Sequence, residues 1–191
     1  DLASAIAALP YDVYNSEEAR EIVAAEPKSF LQIDRAETLL PKGTNPYSEA
    51  VYKTASETLN RMIDEGSFLQ DKEPCYYLYA LTMNGRTQTG LVGCASIDDY
   101  CNNVILKHEN TLEAKEQDRI RHIDACSAQT GPIFLAYRAD KKLGEIIKNV
   151  RLTPEVYDFT SDDGIRHEVW RIDKMSTIVD ISKIFEAIPH L

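Results

Sequence analysis

The 191-residue chain is 43% hydrophobic and 27% charged and carries a net charge of -10 at pH 7. That balance excludes a disordered chain and leaves length for one ordinary domain with a sizeable core. It also excludes a general binder of nucleic acid or anionic membrane, whose surface needs clustered Lys and Arg.

No apolar run approaches the roughly 20 residues needed to span a bilayer, and no stretch reads as a secretory leader. The four cysteines, Cys75, Cys94, Cys101 and Cys126, are widely spaced with no C-x-x-C pair, which points to reduced thiols and away from a zinc site. The cytoplasm is the expected location. The chain starts at Asp1 without a Met and stops at His190-Leu191 just after a helical pattern, so a piece of a longer protein is expected.

In chain order, Ala3–Pro10 is small and apolar, and Tyr11-Asp-Val-Tyr14 turns into a helix. Asn15 with Glu18 three residues on fits an N-cap with a capping box, and Ala19, Ile22 and Val23 give its buried stripe. Pro27 ends that helix, and Ser29–Ile33 reads as a strand. A second helix is predicted from Tyr47 to Glu65, with Val51, Ala55, Leu59 and Met62 on one face and Gly66 at its C-terminal cap.

Cys75–Met83 carries aromatic and aliphatic side chains on both alternating faces, as a covered central strand would. Asn84-Gly85 is a two-residue hairpin signal, since both positions accept positive φ, and Arg86–Ile97 returns as the partner strand. Val104–Leu106 reads as a short strand running straight into Lys107, His108, Glu109, Asn110 and Thr111.

A charged helix follows from Thr111 to Ala128, with Asn110 and Glu113 as a cap pair. Lys115, Arg119, His122 and Cys126 fall on one of its faces. Ile133–Tyr137 is a predicted strand, Lys141–Val150 a helix and Glu155–Asp173 a hairpin turned at Asp162-Asp-Gly164. Ile178, Ile181, Phe185 and Ile188 keep helical spacing up to Pro189. Hairpins between helices predict a single α+β domain with a mixed, largely antiparallel sheet and flanking helices.

The Lys107–Thr111 cluster is the candidate site. His108 and Glu109 are the general acid–base candidates, because burial and neighbours tune both toward neutral pH. Lys107, Lys115 and Arg119 suit an anion, the helix start after Asn110 offers free N–H groups to it, and Thr111 adds a hydroxyl. The competing reading is that His108 and Glu109 merely solvate a helix start. Asp12, between Tyr11 and Val13, either lines a pocket or makes an Asx-turn. Leu112 stands where a zincin needs its second His, and neither a phosphate-binding G-x-x-x-x-G-K-S/T loop nor a G-x-S-x-G elbow is present.

Pro10-Tyr-Asp-Val13, Lys107-His-Glu-Asn-Thr111, Pro132-Ile-Phe134, the His167–Trp170 spacing and Phe185…Ile188-Pro189 resemble, in order and over essentially the whole chain, the bacterial family filed as domain of unknown function 1015. The resemblance implies a longer cytoplasmic protein in which a strand and an Asp-Gly-His-His-Arg motif follow the position of Leu191. That motif is similar to the phosphate-handling signature of the ParB-like nucleotide-binding superfamily, which includes a kinase acting on free serine.

The implied function is a nucleotide-dependent phosphotransferase acting on a small hydroxylated metabolite. His108 or Glu109 would deprotonate the acceptor, and Lys107, Lys115 and Arg119 would neutralise phosphate charge. Asp12 would stand in the pocket wall, and ATP or ADP with Mg²⁺ would be the cofactor. No metal site of the chain's own and no nucleic-acid or membrane partner is expected. The missing C-terminal half would complete the site, and this chain alone would be inactive. The alternative is a non-catalytic module that senses a phosphorylated metabolite.

Overall fold

The structure is a computed structural model that describes residues 2–107 and 111–191. The described chain packs as two compact units. The first takes the stretch up to Gln70 together with Thr111–Ile133, and the second takes Asp71–Lys107 and Phe134–Leu191. Among the described residues, eight helices and a four-stranded antiparallel sheet make the chain α+β.

The first unit is helical. It contains α1 (Leu2–Ile6), α2 (Ser16–Ala25), α3 (Leu31–Asp34), α4 (Glu49–Asp64) and α6 (Glu113–Cys126), with short 3₁₀ turns at Tyr11–Val13 and Ala36–Leu39. α2 starts where the sequence predicts. The Asn15 side chain accepts from the Glu17 and Glu18 N–H groups, and Glu18 Oε2 accepts from the Asn15 N–H at 2.9 Å. This reciprocal box satisfies orphan donors of the first turn. α4 buries Val51, Tyr52, Ala55, Thr58, Leu59 and Met62. Its core partners are Ile33, Ala36 and Cys126.

One prediction fails in this unit. Ser29–Ile33 is not a strand, because its polar groups close locally: Ser29 Oγ accepts the Leu31 N–H, Gln32 Nε2 donates to Pro27 O and Ser29 O, and the Ile33 N–H donates to Phe30 O. Turn bonds of this kind let Leu31 and Ile33 bury without a partner strand. α6 is capped by Leu112, with no side-chain cap. Asn110, assigned to that cap from sequence, lies outside the described residues.

The second unit is built on the sheet, in the order β2-β1-β4-β3. Its strands are β1 (Tyr76–Met83), β2 (Arg86–Val92), β3 (Tyr157–Thr160) and β4 (Arg166–Ile172). β1 is central, as predicted. Asn84 and Gly85 turn the first hairpin with φ of 51° and 76°, and Met83 pairs with Arg86. β2 ends at Val92, short of the predicted Ile97, which instead opens α5 (Ile97–Cys101). A side chain at Gly93 would force the Tyr76 ring to shift, since its Cβ would lie 2.7 Å from that ring.

Leu78, Ala80, Trp170 and Ile172 share one sheet face. They form a core with Leu143 of α7 (Lys141–Val150) and Ile181 of α8 (Met175–Glu186). Trp170 Nε1 donates to Thr153 O at 3.1 Å, so the one tryptophan buries its ring without orphaning its N–H.

Two further predicted strands are absent. Val104–Leu106 turns instead: the Val104 and Ile105 N–H groups donate to Asp99 O, Leu106 N–H to Leu191 O and Leu191 N–H to Val104 O. Ile133–Tyr137 has no ladder partner among the described residues, and Ile133 and Phe134 are 64% and 79% exposed. β-branched and aromatic composition alone does not make a strand where no edge is offered.

On the second sheet face, Tyr79, His167, Ser161 and Asp163 form a chain of hydrogen bonds. The Asp163 carboxylate only accepts, so Ser161 Oγ donates to it at 2.5 Å. His167 Nε2 then donates to Ser161 Oγ at 2.8 Å, and Tyr79 Oη donates to His167 Nδ1 at 2.7 Å. This order requires a neutral imidazole. Burial pushes the His167 pKa below its ordinary value, partly opposed by Asp163.

The unfolded state therefore takes up the proton first, and the His167 contribution falls as pH drops below about 6.5. NMR titration is expected to give His167 a midpoint below that of unstructured His. A midpoint above it removes the neutral chain.

Candidate functional site

The first unit holds a cavity of about 150 Å³ between the Tyr11 turn, the Asp34–Glu37 segment, α4 and α6. Its walls are unusually charged for so small a space: Arg35, Lys115 and Arg119 face Asp34, Glu37 and Asp118, with Tyr11, Tyr47, Tyr52 and His122 between them.

The mouth is built on Tyr11. Lys115 Nζ lies 5.8 Å and Arg119 Cζ 4.2 Å from the centroid of its ring, so two cations one helical turn apart stand over one aromatic face. Helical spacing made their shared face legible. Tyr11, more than a hundred residues earlier in the chain, was not.

Behind the mouth, α4 and α6 meet through polar groups. Tyr52 Oη donates to Asp118 Oδ1 at 2.9 Å, and Arg119 donates to Asp118 Oδ2 at 2.8 Å. Tyr52 and Asp118 are 3% and 8% exposed, so each requires the other. His122 is buried one turn further along. Its Nε2 donates to Ile33 O at 3.0 Å, because a carbonyl can only accept, and its Nδ1 lies 4.0 Å from Cys126 Sγ. Burial pushes the Cys126 thiol up, so it stays protonated and is no nucleophile.

The opposite wall is held by two arginines. Arg20 donates to Thr38 O and Leu40 O at 2.8 and 2.7 Å and to Glu37 O, stapling the turn that presents Glu37. Arg35 Nε lies 2.8 Å from Glu37 Oε1, a close ion pair rather than an aligned hydrogen bond. Arg35 Nη2 donates to Ser16 Oγ, which itself donates to Glu37 Oε1.

Burial, and then the bond to Asp118, pushes the Tyr52 phenol up to about 12. A raised folded pKa means that this contribution to stability is full below pH 10 and is lost as pH climbs toward 12. Alkaline titration followed by tyrosinate absorbance is expected to show Tyr52 ionising late, in a group with Tyr77, Tyr79 and Tyr137, whose phenols burial also raises. Replacement of Tyr52 by Phe should remove one equivalent from that late group and separate the loss of helical signal from tyrosine ionisation.

Of the other residues singled out from sequence, Lys107, Thr111 and Asp12 do not line this cavity. Lys107 belongs to the second unit, with Nζ 5.1 Å from the Tyr100 ring centroid. Thr111 is exposed and donates to Glu116 at 3.3 Å. Asp12 is exposed on the turn next to Tyr11 and does not line the cavity. His108 and Glu109 lie outside the described residues.

The residues missed from sequence were Arg35, Asp34, Glu37, Tyr47, Tyr52 and Asp118. Two carried a signal. Tyr52 keeps helical spacing with Ala55, Leu59 and Met62, and Asp118 with Lys115 and His122. A polar group on each buried stripe calls for a partner.

Over residues 1–191 the sequence matches the family described as Protein of unknown function (DUF1015). The chain belongs to that family. No curated protein and no solved structure matches it. Among the described residues of this DUF1015 chain, no helix is long and apolar enough to cross a membrane. No group of three or more His, Cys, Asp or Glu is arranged among them to hold a metal ion.

Proposed function

We propose that the charged cavity of the first unit seats the anionic group of a small metabolite. On this reading the DUF1015 protein is a cytoplasmic, nucleotide-dependent phosphotransferase of ParB-like kind acting on a small hydroxylated substrate. The observation that carries the reading is the convergence of Lys115 and Arg119 over Tyr11 at the mouth of a cavity walled by Arg35, Asp118 and His122. Arg35 and Arg119 each have a carboxylate beside them, whereas Lys115 has no ion-pair partner among the described residues. It is therefore the cation readiest to meet an incoming anion.

Size sets a limit. At about 150 Å³ the cavity falls below the roughly 300–1,000 Å³ of sites for drug-sized ligands, so it suits a phosphate or a small metabolite and not a whole nucleotide. ATP or ADP would then lie elsewhere, with the phosphate-handling element expected beyond Leu191. Mg²⁺ would arrive on the nucleotide's own phosphates, since a resident metal cage does not fit the described part of the chain.

One observation favours the sensing alternative. Asp118, His122 and Glu37 already hold structural partners, which suits binding better than proton transfer. The two readings separate on the full-length protein, by nucleotide consumption against a panel of hydroxylated metabolites. Turnover supports the phosphotransferase, and binding without turnover supports the sensor.

For the chain itself, inorganic phosphate is expected to raise the melting temperature in a manner that weakens with salt. Replacing Lys115 and Arg119 together by Ala should lower phosphate affinity at least about tenfold, since bonds to charged groups are the strong ones. An unchanged response in that double variant removes the cavity mouth from the site.

A further inference from the structure

We propose that the free edge of β2 pairs with β2 of a second copy of this chain, joining two four-stranded sheets into one of eight across a two-fold axis. The register of the first hairpin dictates which groups are available. A two-residue turn makes Met83 and Arg86 a hydrogen-bonded pair, and such pairs alternate along an antiparallel ladder. Arg86, Gln88, Gly90 and Val92 therefore spend their backbone groups on β1. Thr87, Thr89 and Leu91 point theirs away from the sheet, as a row of three N–H and three C=O groups on an edge strand.

Sheet proteins blunt such edges with Lys, Pro, bulges or short strands. β3, at the other edge, follows this rule. It is four residues long, lies shortly after Pro154, and bears the exposed Asp158–Arg166 ion pair. β2 has none of these devices: from Thr87 to Val92 it holds no charge and no Pro.

The sequence of β2 is also complementary to itself. A two-fold through Thr89 sets Thr89 against its own copy, and Thr87 against Leu91 of the partner copy. All three outward-facing positions then become hydrogen-bonded pairs. No like charges meet, because Arg86 falls opposite Val92.

In the same register Gln88 stands opposite Gly90. Gly90 has no positive φ, and a Cβ there would meet nothing within 4 Å. Neither conformation nor packing within the chain requires glycine. A strand-interior glycine often marks the approach of another chain, and here the long exposed Gln88 of a partner would lie over it.

The test uses the 191-residue chain in sedimentation equilibrium from 1 to about 200 μM, a span covering ordinary weak dimers. The mass is expected to double across it. Thr89→Pro deletes an N–H that β1 does not use and should leave a monomer with unchanged circular dichroism. Thr89→Ala keeps the N–H and should still dimerise.

Hydrogen exchange on the native chain gives a readout that needs no variant. The Thr87, Thr89 and Leu91 amides should gain protection with concentration, while Gln88, Gly90 and Val92 are protected throughout. A monomer at the highest concentration, dimerisation of folded Thr89→Pro, or fast exchange at all three outward amides would each overturn the proposal, including the case where another protein's strand occupies the edge.

Discussion

Replacing Arg35 by Met is expected to destabilise the chain by about 3 kcal/mol, although the new side chain fills much of the same volume. Glu37 is 3% exposed, and its carboxylate rests against the Arg35 guanidinium and the Ser16 hydroxyl. Without Arg35 that charge stays buried with one neutral donor. The cost of breaking a buried pair arises mainly from the charge left behind, not from the attraction lost. The double replacement Arg35→Met with Glu37→Gln should therefore recover at least half of the loss. Chemical unfolding followed by far-UV circular dichroism measures both. If the two single costs simply add in the double variant, the pair is not coupled and Glu37 is held by the Arg20 staple and Ser16 alone. Phosphate affinity is expected to fall in Arg35→Met as well, since the cavity wall loses a cation while Glu37 remains.

The parts of this fold that were legible in the sequence are those whose reasons are local. The Asn15–Glu18 box and the Asn84-Gly85 turn each need only a few neighbouring residues to satisfy their own backbone, and both form as read. The β1 and β4 strands were legible because β1 is an aromatic and aliphatic run closed by a turn signal, and β4 alternates Trp170 and Ile172 on one face. Ser29–Ile33, Val104–Leu106 and Ile133–Tyr137 have strand-like composition too. A strand exists only with an edge to pair on, however, and that edge is chosen by distant residues. Short apolar runs lose this contest to turns closed by their own polar groups, as Ser29 and Gln32 show.

The site follows the same division. A helical face is a local property, so Lys115 and Arg119 were found. The wall opposite them comes from Tyr11 and Arg35, which no spacing rule connects to α6. The sequence-based cluster centred on Lys107–Thr111 rests on adjacency along the chain, and its acid–base pair, His108 and Glu109, lies outside the described residues. Lys107 belongs to one compact unit and Lys115 and Arg119 to the other.

Removing Asp118 is expected to move stability and anion affinity in opposite directions, which no purely structural reading of the cavity anticipates. The carboxylate accepts from Tyr52 and from Arg119 at once. Asp118→Ala leaves the Tyr52 hydroxyl buried without an acceptor and should cost about 3 kcal/mol. Asp118→Asn keeps an amide oxygen for Tyr52 and should cost only about 1 kcal/mol. In both variants Arg119 loses the charge that balances it, while its place over Tyr11 is still favoured by the ring. One negative charge removed within several ångströms of a bound phosphate is worth about 1 kcal/mol even at the dielectric of bulk water, or roughly a fivefold gain in affinity at the least. Titration calorimetry with inorganic phosphate at two salt concentrations separates the effects. The gain should be larger at low salt. A loss of phosphate affinity in the folded Asp118→Asn protein would mean that Asp118 positions Arg119 for the ligand rather than competing with it, and the free cation at the mouth would then be Lys115 alone.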